Sequence, residues 1–230
     1  ENTRSRNSER RNWKGEIARE KENWICIEGN IGSGKTTLTK MLSAENNALA
    51  ILERFDENPF LIAFYEDKER FAFPVEAFFL SERHKQMQQE LSVSNMFHEI
   101  IIADYCFHKT VLFAQENLND QEYGLFYKLY SQLNQQLIQP ELIIYLHRPV
   151  ESLLKNIAKR NREFEKKIQP EYLSGISQAY LNYFSSIKDI PVYVIHIDDL
   201  DFENDTLIYE KIKDIISADV GLIGRKDFYI

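Results

Sequence analysis

The first chemistry in the chain sits in one short stretch. In "GNIGSGKTT", residues 29–37, Gly29 is followed after four positions by Gly34, Lys35 and Thr36, directly behind the apolar run 24–27. Glycines at 29, 32 and 34 let the chain turn tightly, so that successive backbone N–H groups face inward as an anion nest at a helix N-terminus. Lys35 is placed to reach the β- and γ-phosphates of a nucleoside triphosphate, and the Thr36 hydroxyl to take one position on Mg²⁺. The spacing fits the Walker A pattern, in the strand, loop, helix context that the pattern needs. Gly29, Asn30, Ile31, Gly32, Ser33, Gly34, Lys35, Thr36 and Thr37 are therefore the candidate ATP-binding residues. A second reactive group stands at Glu53, near the end of "LAILERF". A carboxylate at that strand end could accept a proton from an attacking hydroxyl, or else pair with its neighbour Arg54.

Such groups need a frame, and the hydrophobic patterning supplies one. "TTLTKMLSAE" reads as a helix between two buried strands, which begins a parallel βαβ unit. "RFAFPVEAFFLSERHKQMQQEL" predicts a long helix with Pro74 near its start, and "HEIIIADY" a third buried strand. "QEYGLFYKLYSQLNQQLI" is helical in period, "ELIIYLH" is a fourth strand, "VESLLKNIAKRNREFEKK" is a helix running into a charged segment, and "PEYLSGISQAYLNYFSSI" is another helix. "PVYVIHID" supplies a fifth strand and "TLIYEKIKDIISA" a terminal helix. Strands alternating with helices predict an α/β fold of P-loop NTPase type: an open parallel five-stranded sheet with helices on both faces. Ligands in such a sheet sit at the carboxyl ends of the strands, just past residues 28, 53, 103, 146 and 198.

With 230 residues, 43% of them hydrophobic and 28% charged, the chain fits a single soluble domain with a substantial core. Residues 1–22 mix both charge signs and read as an extension or linker, leaving 23–230 as the folded domain. A net charge of -8 argues against a nucleic-acid polymer as partner and favours a small substrate. No run approaches the roughly 18 apolar residues that span a bilayer, so a membrane is not expected. Cys26 and Cys106 are too few for a disulfide scaffold or a zinc site, and as buried small hydrophobes they fit the cytoplasm. None of the five histidines stands at metal-ligand spacing to another His or Cys.

Taken together, "IEGNIGSGKTTL", the strand-end Glu of "LERF", "NPFLIAFYEDKERFAF", "FLSER", "LFAQENL" and "KRNREFEKKIQPEYL" resemble the deoxynucleoside kinases, most of all the bacterial deoxyadenosine and deoxyguanosine kinases. The likeness runs from about residue 24 to about residue 218. It implies transfer of the γ-phosphate of ATP, with Mg²⁺, to the 5′-hydroxyl of a deoxynucleoside in nucleotide salvage, by a homodimer with a mobile lid. By this resemblance Glu53 is the general base, Tyr65 and Glu165 bind the sugar 3′-hydroxyl, and Arg160 and Arg162 are lid arginines whose guanidinium forks suit a transferring phosphoryl group. Glu76 and Arg83, seven residues apart on the long helix, read the base. A carboxylate only accepts hydrogen bonds, so Glu76 favours base edges that offer donors, and purines among them. Asp201 and Phe202 stand where relatives hold the adenine of ATP. The apolar helices 71–91 and 120–138 are candidates to pack against a second subunit.

One segment departs from the pattern. Where relatives carry an acid followed by Arg after the third strand, this chain reads "IIIADYCFHKT": Asp104 can serve as the acid and Mg²⁺ ligand, but Tyr105 replaces the Arg. Lys109 could supply the missing charge, or pair with Glu76 across the base pocket, or lie at the surface. The gap keeps two alternatives in play: a nucleotide-binding subunit with weak catalysis, and a nucleoside monophosphate kinase, which would need Arg54 or Arg83 to grip the acceptor phosphate.

Overall fold

Continuous apolar runs become strands here because both faces of the sheet are covered. The computed structural model describes residues 23–94, 100–218 and 223–230. Its strands are β1 (Asn23–Gly29), β2 (Leu49–Ile51), β3 (Ile100–Ala103), β4 (Leu142–His147), β5 (Pro191–His196) and β6 (Gly224–Tyr229). They lie in the order β2-β3-β1-β4-β5-β6, and every pairing is parallel. The helices are α1 (Lys35–Asn46), α2 (Leu61–Glu66), α3 (Lys68–Ser94), α4 (His108–Asn117), α5 (Asp120–Asn134), α6 (Val150–Arg160), α7 (Pro170–Ser186) and α8 (Thr206–Ser217). The extension expected at 1–22 lies outside the described residues.

Alternation along β4 shows how the layers form. Leu142, Ile144 and Leu146 pack with Leu38 and Leu42 of α1 and Ile212 and Ile216 of α8. Ile143 and Tyr145 point the other way, against Phe113 of α4 and Ile176, Tyr180 and Phe184 of α7. A third apolar cluster joins α2, α3 and α5 beyond β3, through Phe64, Val75, Met87 and Phe126 among others. Helices therefore cover both faces, as expected. Cys26 and Cys106 are free thiols sealed in the layer between sheet and α7. Among the described residues no helix is long and apolar enough to cross a membrane.

Four expectations need correction. The sheet has six strands rather than five, because "GRKDFY" adds a polar strand at the edge beyond β5, where only Gly224 is buried. β2 is short and ends at Ile51, so Glu53 lies two residues past the strand. α3 begins at Lys68, placing Pro74 inside the helix rather than at its start; Asp67 nucleates it early by accepting the Arg70 N–H at 3.3 Å. α4 is a helix that the apolar pattern did not single out, since it buries Lys109 and Thr110 beside its apolar residues.

Candidate active site

β1 lies in the middle of the sheet with β3 on one side and β4 on the other, so the chain reverses its direction of winding there and opens a crevice at the strand ends. A cavity of about 1080 Å³ fills that crevice. The phosphate loop forms one wall. Gly34 caps α1 with φ 94°, a left-handed backbone angle that L side chains rarely adopt, and a Cβ there would stand 2.9 Å from the Phe202 ring. Gly32, at φ 84°, would bring a Cβ 2.7 Å from the Leu153 carbonyl oxygen. Of the expected loop residues, Ile31, Gly32, Gly34, Lys35, Thr36 and Thr37 line the cavity. Gly29, Asn30 and Ser33 shape the loop from behind: the Asn30 amide donates to the Leu173 carbonyl at 2.7 Å and to Ser177 Oγ at 2.8 Å.

Asp104 links this wall to the next. Its Oδ2 accepts from Thr36 Oγ1 at 2.5 Å, and its Oδ1 accepts from the Glu53 N–H at 2.8 Å. A hydroxyl and a carboxylate brought together at a helix N-terminus are the hard oxygen donors that Mg²⁺ prefers. Glu53 itself is almost fully enclosed. Arg83 donates to its Oε1 from Nε at 2.9 Å and from Nη2 at 2.6 Å, and Lys109 donates to its Oε2. Burial opposes ionisation of Glu53, yet Lys109, Arg83 and Lys35 together hold its carboxyl well below the usual carboxylate range. Lys35 is lowered to about 8, by burial first and by repulsion from Lys109 second.

Lys109 is thus neither at the surface nor on Glu76, two of the three outcomes its position had left open; it is buried, with its ammonium on Glu53. Tyr105 is fully buried and donates from its hydroxyl to Gln86 Oε1 at 2.8 Å, so the residue after Asp104 carries no charge toward the cavity. Arg54 is largely exposed and pairs with Glu90 at 3.5 Å rather than with Glu53.

Glu76 and Arg83 both line the cavity, but they are not a pair. Glu76 Oε1 accepts from Asn117 Nδ2 at 2.6 Å, and the same amide donates to the Tyr172 hydroxyl at 3.2 Å. Burial raises the Glu76 carboxyl to about 7, with Arg83 and the Asn117 hydrogen bond opposing it. On the lid side, Glu165 is buried and receives Arg160 through Nε at 2.5 Å and Nη2 at 2.6 Å, and Arg162 Nη1 at 3.3 Å. Arg162 also lies over the Phe55 ring at 4.2 Å, and Tyr65 stacks on Phe164 with centroids 5.9 Å apart. Burial, then the nearby Glu165, pushes the Tyr65 hydroxyl above its ordinary pKa. Asp201 and Phe202 border the same space.

Sequence reasoning passed over Arg148, Glu28, Asn117 and Tyr172. Arg148 is buried just past β4 and donates to the carbonyls of Ser33, Asp198 and Leu200 at 3.0, 2.5 and 2.8 Å, clamping the phosphate loop to the segment after β5. Its position at a strand end was the available signal. Glu28 is buried beneath the loop and accepts from the Cys106 N–H and the Tyr180 hydroxyl, each at 2.8 Å. Burial raises its pKa, with Lys109 foremost among the opposing influences.

The chain has relatives among known proteins. Residues 25–220 match the family model described as Deoxynucleoside kinase. The chain is 34% identical over 193 residues to a deoxyguanosine kinase of Bacillus subtilis (strain 168), covering 82% of this chain and 93% of that protein. It is 31% identical over 206 residues to a deoxyadenosine/deoxycytidine kinase of the same strain, covering 86% and 93%. Among solved structures, deoxyadenosine kinase from M. mycoides with bound dCTP superposes with a TM-score of 0.71 at 23% identity, over 85% of this chain and 100% of that one, a likeness of fold.

Proposed function

The chain belongs to the deoxynucleoside kinase family, and from that premise we propose that it moves the γ-phosphate of ATP to the 5′-hydroxyl of a purine deoxynucleoside, with Glu53 as the general base. The observation that carries this reading is the Glu53 carboxylate, held ionised, on the cavity wall that Asp104 ties to Thr36 of the phosphate loop. The loop N–H groups and Lys35 grip the triphosphate. Thr36 and Asp104 would hold Mg²⁺, which shields the triphosphate charge when bound. Tyr65 and Glu165 hold the sugar 3′-hydroxyl, and Arg160 and Arg162 turn from Glu165 toward the transferring group as the lid closes, excluding water. In the step itself the O5′–H bond breaks, its proton passes to Glu53, the O5′–Pγ bond forms, and the bond from Pγ to the bridging oxygen breaks with its electron pair leaving on ADP.

Glu76, braced by Asn117, is an acceptor suited to the N1–H and N2–H₂ of guanine or the 6-amino group of adenine. Its relatives' names, deoxyguanosine kinase and deoxyadenosine/deoxycytidine kinase, support a purine preference. A monophosphate acceptor fits worse, because Arg83 is spent on Glu53 and Arg54 on Glu90. The free buried thiols suit a reducing compartment such as the cytoplasm. The test is a coupled ADP-release assay offering deoxyguanosine, deoxyadenosine, deoxycytidine, thymidine and their monophosphates. Turnover with the purine deoxynucleosides is expected; turnover with monophosphates alone, or with no acceptor at all, overturns the reading.

A further inference from the structure

Both oxygens of the Glu53 carboxylate are already taken by cations, Oε1 by Arg83 and Oε2 by Lys109. Three of the carboxylate's four lone pairs are so occupied, and two bound cations hold down its affinity for a proton, so the release of one of them makes it the stronger base. Arg83 is the fixed partner. Besides its two bonds to Glu53, its Nη1 donates to Thr110 Oγ1 at 3.1 Å, and its guanidinium lies over the Phe79 ring at 4.5 Å. Lys109 holds on through a single ammonium at the end of a flexible stem, and among the described residues Glu53 is the one carboxylate it pairs with. Lys109 and Lys35 both line the cavity beside the phosphate loop.

Resting on the function proposed above, we propose that Lys109 exchanges partners: it sits on Glu53 while the loop is empty and moves to a γ-phosphate oxygen when ATP binds. The move does two things at once. It frees Oε2 to receive the 5′-hydroxyl proton, and it brings a further positive charge to the phosphoryl group in transit. ATP binding thereby arms the base, so that the carboxylate is at its most basic when there is a phosphate to transfer.

The experiment is a double-mutant cycle on the full chain with K109M, E53Q and the double variant, read by calorimetric binding of a non-hydrolysable ATP analogue. If Glu53 and the γ-phosphate compete for Lys109, E53Q releases the lysine and binds the analogue roughly 10-fold tighter, and that gain disappears in the K109M background. Simple loss of a nearby negative charge would give the same gain in both backgrounds, which overturns the exchange. Turnover of the wild type in the coupled assay tests the function separately, whereas the binding cycle reads the exchange whatever the acceptor. In that assay K109M is expected to lower kcat about 100-fold with the KM for the deoxynucleoside little changed; a wild-type kcat also overturns it. Should K109M fail to fold, a crystal structure of the wild type with the analogue decides: Lys109 Nζ on a γ-phosphate oxygen supports the proposal, and Nζ still on Glu53 defeats it.

Discussion

Replacing Glu53 with Gln keeps the side chain's shape and an acceptor for Arg83 while removing the charge that draws a proton. A positioned general base contributes about 10²- to 10⁴-fold, so kcat for the deoxynucleoside should fall by that range in the E53Q variant. An unchanged rate would remove Glu53 from the role. Glu76 gives a prediction on stability. Its carboxyl is raised from 4.5 to about 7 by burial, so its neutral form is the one the fold favours. The sign follows: Glu76 is without cost to the fold below about pH 4.5 and destabilises it progressively as pH rises to about 7. E76Q, neutral throughout and still able to accept from Asn117, should be more stable than the wild type by up to roughly 3 kcal/mol at pH 8, with the gap closing near pH 4.5. Urea midpoints across that range check it, and a gap independent of pH would refute the assignment. The loop and Glu53 were legible because spacing and strand ends announce them. Glu28, Asn117 and Tyr172 were not, because what gives each its place is a partner distant in the chain, such as Tyr180 for Glu28 at a separation of 152 residues.

At the scale of elements, legibility followed burial. β1, β4 and β5 are apolar on both faces and announced themselves; β6 did not, since an edge strand with mostly half-buried polar residues has no such signature. α4 was hidden for a chemical reason: its first turn brings Lys109 inward to meet Glu53, so charge stands where a core-facing helix would show an apolar residue. Elements that carry the site break the pattern that reveals elements. Arg148 joins two of them by binding the carbonyls of Ser33, Asp198 and Leu200. Substitution by Met fills similar space but leaves those acceptors unmatched, so Arg148→Met should cost about 3 kcal/mol in thermal or urea unfolding. It should also weaken ATP-analogue binding, because the loop loses its brace to the segment bearing Phe202. Unaltered stability would show that water satisfies the three carbonyls equally well.

For the whole molecule, the outer surface carries its own information. Leu125 and Leu129 lie one helical turn apart on α5 and are 54% and 41% exposed, whereas Phe71, Phe73 and Phe79 of α3 pack inward. Of the two helices considered for subunit contact, α5 is therefore the one with an unused apolar face. If two copies pair there, the wild type should run as a dimer in light scattering and L125E/L129E as a folded monomer. A double variant of unchanged mass would place any pairing elsewhere.

The chain's two cysteines are both sealed under the nucleotide loop. A maleimide cannot reach either sulfur until α4 or α7 lifts from the sheet, so the alkylation rate is a native gauge of how often that helical layer opens. Ligand that tightens the loop should slow that clock, without any label having to be engineered in.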